Sequence, residues 1–401
     1  MEPGCFMASI DLSNAYYRLP MHSEYTKYLK FKVDNQMYKY LALPQGFKYS
    51  PRISNKIFRP ILSHFRKRKL ISSLYIDDLY LQGAIYEECL TNVNYTTSAL
   101  GNLGFEISEK SVCVPTQTLS HLGFSLDSIH MTVTLDNDKR QHIEQMIQSA
   151  LDSRTLLTVR ALAKLIGTFV ASFPAVEYGP LHYRSLEILK IRSLQVSYEY
   201  DKLLTLSNES IDDLKWWPNM GIHNGKFLYH GHPTVIIKTD PSGYGWGAIR
   251  GDTSTYGLWS YLESLDHINV LELKAAMLGI QALCKDVHDC FVQVQIDNNT
   301  AVAYINNMGG THSLKYNHYT RGLLLWCVKR KIWITACHIA GSNNSADYYS
   351  RKDTSHTEWM LNLNIFQSLC KSLVCLKSTY LRLGQITNSV STFHYNLIHK
   401  L

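Results

Sequence analysis

Paired cysteines are missing from this chain. Its nine Cys are an odd number, scattered singly, with no Cys-x-x-Cys and no Cys/His spacing suited to zinc. A disulfide-stapled secreted scaffold is thereby excluded, and reduced thiols of an intracellular protein, in cytoplasm or nucleus, are the expectation. No apolar run approaches membrane-spanning length, and the start, Met1-Glu2-Pro3-Gly4-Cys5, has neither the basic nor the apolar region of a signal peptide. A soluble chain with no membrane partner is expected. Acids are in mild deficit, 33 Asp plus Glu against 40 Lys plus Arg, and 17 His add charge near a polyanion. The net +7 is a mild bias toward nucleic acid. What is present is ordinary: 45% hydrophobic and 18% charged residues describe a folded protein, and 401 residues suffice for two or three domains.

The most informative stretch is Leu74-Tyr75-Ile76-Asp77-Asp78-Leu79-Tyr80, two adjacent carboxylates between short β-prone runs. Strands at Leu74 to Ile76 and Leu79 to Leu81 put Asp77 and Asp78 in the turn of a tight hairpin. Asp-Asp is a poor substitute for the Asn-Gly or Asp-Gly that such turns favour, and two like charges there repel. A divalent cation between them relieves that repulsion. Taken alone, such a pair is more often a solvated acidic turn.

Phe6, Ala8, Ile10 and Leu12 alternate with Met7, Ser9 and Asp11, so Asp11 ends a buried strand on its polar face. It suits a helix N-cap or a metal ligand. Residues 21 to 43 interleave Lys and Tyr, as phosphate contacts and base stacking require, and as an exposed sheet face also allows. Leu43-Pro44-Gln45-Gly46-Phe47-Lys48-Tyr49-Ser50-Pro51 is a turn-rich loop opening a helix at Arg52 to Phe58. Gly46 allows close backbone approach to a ligand, and Gln45 offers both donor and acceptor. Arg66-Lys67-Arg68-Lys69 then sets four cations before the Asp-Asp hairpin, a solvated face or a guide for a polyanion.

Asp11 with Tyr16, Leu-Pro-Gln-Gly with Ser-Pro, and Tyr-Ile-Asp-Asp, in this order and spacing, resemble the palm motifs of reverse transcriptases from retroviruses and retrotransposons. Leu103-Gly104-Phe105-Glu106-Ile107-Ser108 with Lys110, and His121-Leu122-Gly123-Phe124, resemble two later palm motifs, the second being the primer grip. The resemblance implies that Asp11 and Asp77, with Asp78 beside them, hold two Mg²⁺ or Mn²⁺ ions, roughly 3.5–4 Å apart, for in-line attack by a primer hydroxyl. It implies that Tyr16 excludes a ribose 2′-hydroxyl, that Gln45 and Gly46 line the nucleotide pocket, and that Lys110 protonates the leaving group. Tyr75, Leu122 and Gly123 are placed against primer or template.

A second set of acids lies downstream. Val235-Ile236-Ile237-Lys238-Thr239-Asp240 is a strand ending in a carboxylate, followed by Gly243, Gly245 and Gly247 in a hairpin. No βαβ unit follows, so a nucleotide-binding fingerprint fails on context. Glu272 sits on a helix within Asn269 to Leu278, nearly surrounded by apolar positions, and Asp297 ends the strand Phe291 to Ile296 before Asn298-Asn299-Thr300 opens a helix. Asp347 lies in a loop after His338, leading to a helix that carries Arg351. Four such acids suffice to hold two divalent cations for attack of water on a phosphodiester. The order Asp240, Glu272, Asp297, Asp347 on strand, helix, strand and loop resembles ribonuclease H, with a histidine near the place of His338; a strand-edge His is an equal reading.

The resemblance covers about residues 6 to 352, and the Leu-Ile-Gly helix, Phe173-Pro174-Ala175-Val176 and Ala346-Asp347-Tyr348-Tyr349-Ser350-Arg351 resemble DIRS-type or gypsy-like elements. It implies an α+β and α/β multidomain fold: a palm with partial fingers at 1–130, an antiparallel sheet with helices; a helical thumb and connection at 131–232, with a cap before the helix Thr158 to Phe169 and a linker at Gly221 to Pro233; a ribonuclease H-like α/β domain at 233–353; and a tail at 354–401 with apolar helical character around Phe366 to Leu383. The implied partners are RNA template, DNA primer, RNA/DNA hybrid and deoxynucleoside triphosphates. The family carries a fingers region ahead of the first metal strand, where this chain starts, so an N-terminally truncated form is expected, with ribonuclease H activity and weak or absent primer extension. A nucleic-acid-binding remnant without catalysis is the alternative.

Overall fold

The computed structural model describes residues 1–153 and 157–352; the tail at 354–401, with the expected apolar helix around Phe366 to Leu383, lies outside the described residues. Two compact units divide between His230 and Gly231.

In the first unit, β1 (Phe6–Ser13) is central. Next come a short helix α1 (Ser23–Thr26) and an exposed hairpin of β2 (Lys30–Val33) and β3 (Gln36–Lys39) that forms a sheet of its own. Helix α2 (Ser50–Lys67), strands β4 (Ile71–Tyr75) and β5 (Asp78–Gly83), helix α3 (Tyr86–Asn102), and strands β6 (Glu106–Ile107) and β7 (Val112–Thr116) complete the palm-like layer. The sheet runs β4-β5-β1-β6, with β7 also on β1. Ala8, Ile10 and Leu12 point into a core with Phe58, Leu79, Leu81 and Val93, contributed partly by α2 and α3, while Met7 packs with Leu119 on the other face. The alternating pattern therefore describes a strand covered on both sides. Helix α2 extends well past the expected Arg52 to Phe58 and runs through Pro60. That proline lies on the exposed side, so the amide donor it lacks is missing from the solvent face of the helix.

A second sheet is built from β8 (Thr118–His121), β9 (Phe124–Asp127) and β10 (Thr132–Leu135), with a later strand at the β10 edge. Helix α4 (Asn137–Asp152) is capped by Asp136. A short strand β11 (Leu157–Thr158) leads into α5 (Val159–Ser172), where Thr158, expected as the first helical residue, is itself the cap and accepts from the Ala161 amide. Helix α6 (Arg184–Val196), strand β12 (Leu203–Leu204) on β11, and α7 (Asn208–Trp216) follow. Phe169 stacks on Trp217 at 3.9 Å, and the Trp217 indole donates to the His182 carbonyl at 2.8 Å, anchoring the helical core. The expected linker contains β13 (Lys226–Phe227), which pairs with β10 and ties the end of this unit to its second sheet.

The second unit is an α/β layer. Strands β14 (Val235–Pro241), β15 (Gly245–Arg250) and β16 (Thr253–Leu258) form an antiparallel meander. A capped turn of helix α8 (Tyr261–Ser264) and the long α9 (Ile268–Leu283) cross to β17 (Cys290–Ile296), parallel to β14; α10 (Asn299–Asn306) and α11 (Leu314–Lys329) cross to β18 (Ile332–His338), parallel to β17. A final turn of helix, α12 (Asp347–Ser350), packs on β14 and β15. The sheet order is β16-β15-β14-β17-β18. This is the α+β and α/β multidomain architecture expected, an antiparallel palm-type sheet, a helical middle and a mixed α/β sheet. Among the described residues no helix is long and apolar enough to cross a membrane.

Two candidate acidic sites

Asp11 stands directly opposite Asp78 in the antiparallel pairing of β1 with β5. Like charges opposite one another destabilise a sheet, so the register is a cost unless something else compensates it. The hairpin turn is Ile76-Asp77, one residue earlier than expected: Asp78 is already the first residue of β5, paired with Tyr75 as well as with Asp11. Ile76 takes the left-handed angle that a two-residue turn demands, at φ 61. Asp11 caps no helix. Strand β1 continues to Ser13, Asn14 turns the chain at φ 54, and a 3₁₀ turn at Ala15–Arg18 carries Tyr16.

Burial first, then the charges of Asp77 and Asp11, raise the Asp78 carboxyl above its ordinary range, while His121 pulls it down. Tyr16 is raised by burial and by Asp77, which places its ring in the field of that acid. The Leu12 amide donates to the Asp77 carbonyl at 3.1 Å, tying the turn to β1. Lys110 lies in a turn hung on Asp11: the Ser108 amide donates to the Asp11 carbonyl at 2.8 Å, and the Asp11 amide donates to Ser111 Oγ at 3.0 Å. Leu122 and Gly123, both at positive φ, make the turn between β8 and β9, next to His121. Tyr75 is exposed on the hairpin, and Gln45 and Gly46 are exposed in the loop before α2. The structure thus groups Asp11, Asp77, Asp78 and Tyr16; Gln45 and Gly46 show no bond to that group.

In the second unit Asp240 and Asp297 lie at the carboxyl ends of the adjacent parallel strands β14 and β17. Ligands of open α/β sheets collect at such ends. Glu272 on α9 is only 4% exposed. Gly279 of the same helix lets it settle onto the sheet, since a Cβ there would come within 2.6 Å of the Ala248 methyl. Burial first, then a hydrogen bond with Asp297 and the charges of Asp297 and Asp240, push the Glu272 carboxyl up to about 10. Its Oε2 is buried without a hydrogen-bond partner. Asp240 is pushed to about 6 by burial, against a hydrogen bond from Ser350, with Asp297 and Asp347 adding to the rise. Asp347 is the first residue of α12 rather than a loop residue, and its Oδ1 accepts from Arg351 Nε at 2.8 Å. His338 closes β18 opposite Ile296, beside Asp297 in sequence register.

Several partners carry no sequence signal of their own. Ser350 Oγ donates to Asp240 Oδ2 at 2.7 Å, Asn344 Nδ2 approaches Oδ1 at 3.4 Å, and Ser242 Oγ donates to the Ser350 carbonyl at 2.6 Å. Gly341 stands so close to Asp297 that a Cβ would lie 3.3 Å from its Oδ2. A groove of about 640 Å³ is lined by Gly341, Ser342, Asn344, Asp347, Arg351 and Lys352, among others. Ser350 and Arg351 belong to the Ala346 to Arg351 motif, the one signal that could have pointed to them.

Both donor sets are hard carboxylate oxygens that repel one another, and Glu272 adds an orphaned buried oxygen, so both fit Mg²⁺ or Mn²⁺. Among the described residues no three His, Cys, Asp or Glu side chains are already closed on one point, so binding an ion entails side-chain rotation at either set.

Residues 2–126 match the family profile described as Reverse transcriptase (RNA-dependent DNA polymerase). The Gag-Pol polyprotein of feline leukemia virus is 33% identical over 126 residues, and the Gag-Pro-Pol polyprotein of human T-cell leukemia virus 2 is 27% identical over 135. The matched stretches take 29% and 31% of this chain but only 7% and 9% of those polyproteins. Among solved structures, a foamy viral protease-reverse transcriptase in complex with double-stranded DNA is similar at a TM-score of 0.49 and 16% identity, over 84% of this chain and 57% of that one. Residues 2–126 therefore carry a reverse transcriptase domain of the retroviral and retroelement type.

Proposed function

We propose that the chain is a retroelement reverse transcriptase with ribonuclease H, of DIRS or gypsy-like kind, acting on RNA template, DNA primer, RNA/DNA hybrid and deoxynucleoside triphosphates. The observation that carries this reading is the in-register pairing of Asp11 with Asp78 beside Asp77, a costly arrangement that a cation site explains. In the first unit Asp11, Asp77 and Asp78 would hold two divalent ions; in the second Asp240, Glu272, Asp297 and Asp347 would do so. Bound there, Mg²⁺ or Mn²⁺ supplies activation of the attacking hydroxyl or water and charge stabilisation of the leaving oxygen. Tyr16 stands over the sugar as a steric gate, and Gln45 and Gly46 offer backbone and amide contacts to the base or triphosphate. The turn of Leu122 and Gly123 braces the primer end toward Asp78, while Lys110 is held at Asp11 to give a proton to the leaving group. In the second unit Ser350 and Asn344 fix the Asp240 carboxylate, and Arg351 fixes Asp347. The domains follow as 1–130 palm, 131–232 thumb and connection, and 233–353 ribonuclease H-like.

The test pairs two assays on one protein. With Mg²⁺ or Mn²⁺, labelled RNA in an RNA/DNA hybrid is cleaved by the native chain and not by Asp297→Asn, and extension of a primer on an RNA template, expected to be weak in the native chain, is lost in Asp77→Asn. Equal turnover by native and variant proteins would sink the assignments. Binding of hybrid with no turnover in either assay identifies a nucleic-acid-binding remnant instead.

A further inference from the structure

The cations of this chain are concentrated in one segment. From Asn35 to Ile76 there is no Asp or Glu, and residues 25–76 hold twelve Lys and Arg against one acid, Asp34. That segment is net +11 where the whole chain is net +7, so the remainder is net negative. Helix α2 displays the charge most regularly. Its buried residues, Ser50, Ser54, Phe58, Leu62 and Phe65, mark one face. At 3.6 residues per turn, Arg52, Lys56, Arg59, Ser63, Arg66 and Lys67 fall within an arc of about 100° on the opposite face. All six are exposed, and among the described residues none of the five cations makes an ion pair. Arg68, by contrast, turns aside to His64 and the Tyr95 ring.

We propose that this outward face of α2 is a rail for the backbone of single-stranded template outside the primer duplex. The inference rests on the reading of the first unit as a polymerase and adds a surface to it. Arg52 and Arg66 are about 21 Å apart along the helix axis, with cations between them roughly one turn apart at the N-terminal end. A duplex winds its phosphates away from so straight a ridge, whereas a single strand can be laid along it. Tyr49, exposed at the N-terminal end with Lys48 over its ring, offers a platform on which an unpaired base can stack. The ridge also starts in the right place. Helix α2 follows directly on the loop of Gln45 and Gly46, and β4, which comes after it, runs back to the Asp77 hairpin. Arg66 to Lys69 therefore lie at the far end of β4 from the acids, about 20 Å away by strand rise. Unpaired cations along that length suit a polyanion passing over the outside of the sheet.

The test compares two labelled probes by fluorescence anisotropy: a blunt RNA/DNA hybrid, and the same hybrid with a 5′ single-stranded template extension. The variant is Arg52→Gln/Lys56→Gln/Arg59→Gln/Arg66→Gln; a control removes the same charge elsewhere, as Arg192→Gln/Lys202→Gln/Lys285→Gln/Lys329→Gln. The native chain and the control should prefer the extended probe. The α2 variant should bind that probe roughly 10- to 100-fold more weakly, with a salt slope shallower by about 0.7 for each phosphate it no longer neutralises, and bind the blunt hybrid almost as before. Equal loss on both probes, equal loss in the control, or no preference of the native chain for the extension would overturn the rail and leave the polymerase reading intact. Displacement of the extended probe by polyglutamate as readily as by unlabelled strand would also overturn it, marking a general anion patch. A native chain that binds neither probe would overturn both readings.

Discussion

Glu272 holds a carboxyl where burial alone favours an apolar side chain, with one oxygen lacking any partner. Such a group costs stability in the metal-free protein. Glu272→Gln should therefore raise the melting temperature in chelator, by the equivalent of about 1–3 kcal/mol, while hybrid cleavage is lost; a lower melting temperature would assign Glu272 a structural role. Asp240 makes the pH dependence explicit. Its carboxyl keeps a proton in the folded state up to about 6, whereas the unfolded chain releases it near the ordinary Asp range. Stability present below that ordinary range is thus lost as pH rises through 6, by up to about 3 kcal/mol, and melts of Asp240→Asn in chelator should lack the loss. Ser350 governs the orientation of the same carboxylate. Mn²⁺ binding measured by calorimetry should weaken several-fold in Ser350→Ala and recover in Ser350→Thr, which keeps the hydroxyl. Recovery by Ser350→Val would show that volume, not the hydrogen bond, matters.

Among elements, the β4–β5 hairpin shows what periodicity reveals and where it stops. Alternation located both strands, but the pair Asp77-Asp78 reads as a two-residue turn when the true turn is Ile76-Asp77. A one-residue slip exchanges the faces of a strand, and here it decides that Asp78 faces Asp11 across a ladder instead of solvent at a loop tip. A β-branched side chain at φ 61 is a choice that propensity cannot foresee. Ile76→Gly should relieve it, raising stability by about 1 kcal/mol in chemical unfolding while slowing primer extension, because the turn loses its stiffness. A loss of stability would mean that Ile76 is held by packing worth more than the strain. The helix starts near Thr158 and Asn298 and the buried side of the Glu272 helix were legible because each signal is local. Ser111, His121, Asn344 and Ser350 were not: their partners lie 43 to over 100 residues away, and no spacing rule connects them.

At the scale of the molecule, the two acidic centres belong to separate units, each with its own sheet. Asp77→Asn should leave hybrid cleavage at the native rate, and Asp297→Asn should leave extension unchanged, measured on the same preparations; loss of both activities in either variant would reveal a shared step. The central strand of the first unit carries a different consequence. Strand β1 is made before every strand it pairs with: its neighbours are β5, β6 and β7, the Gly4 amide donates to the Ser128 carbonyl, and Ser128 Oγ donates to the Cys5 carbonyl. During synthesis, Met7, Ala8 and Ile10 must wait, unpaired and apolar, for β5 about 70 residues later, and the start of the strand is not tied down until Ser128 has left the ribosome. The segment that carries Asp11 thus stays exposed until its partners emerge, and nascent chains stalled before β5 should aggregate through it.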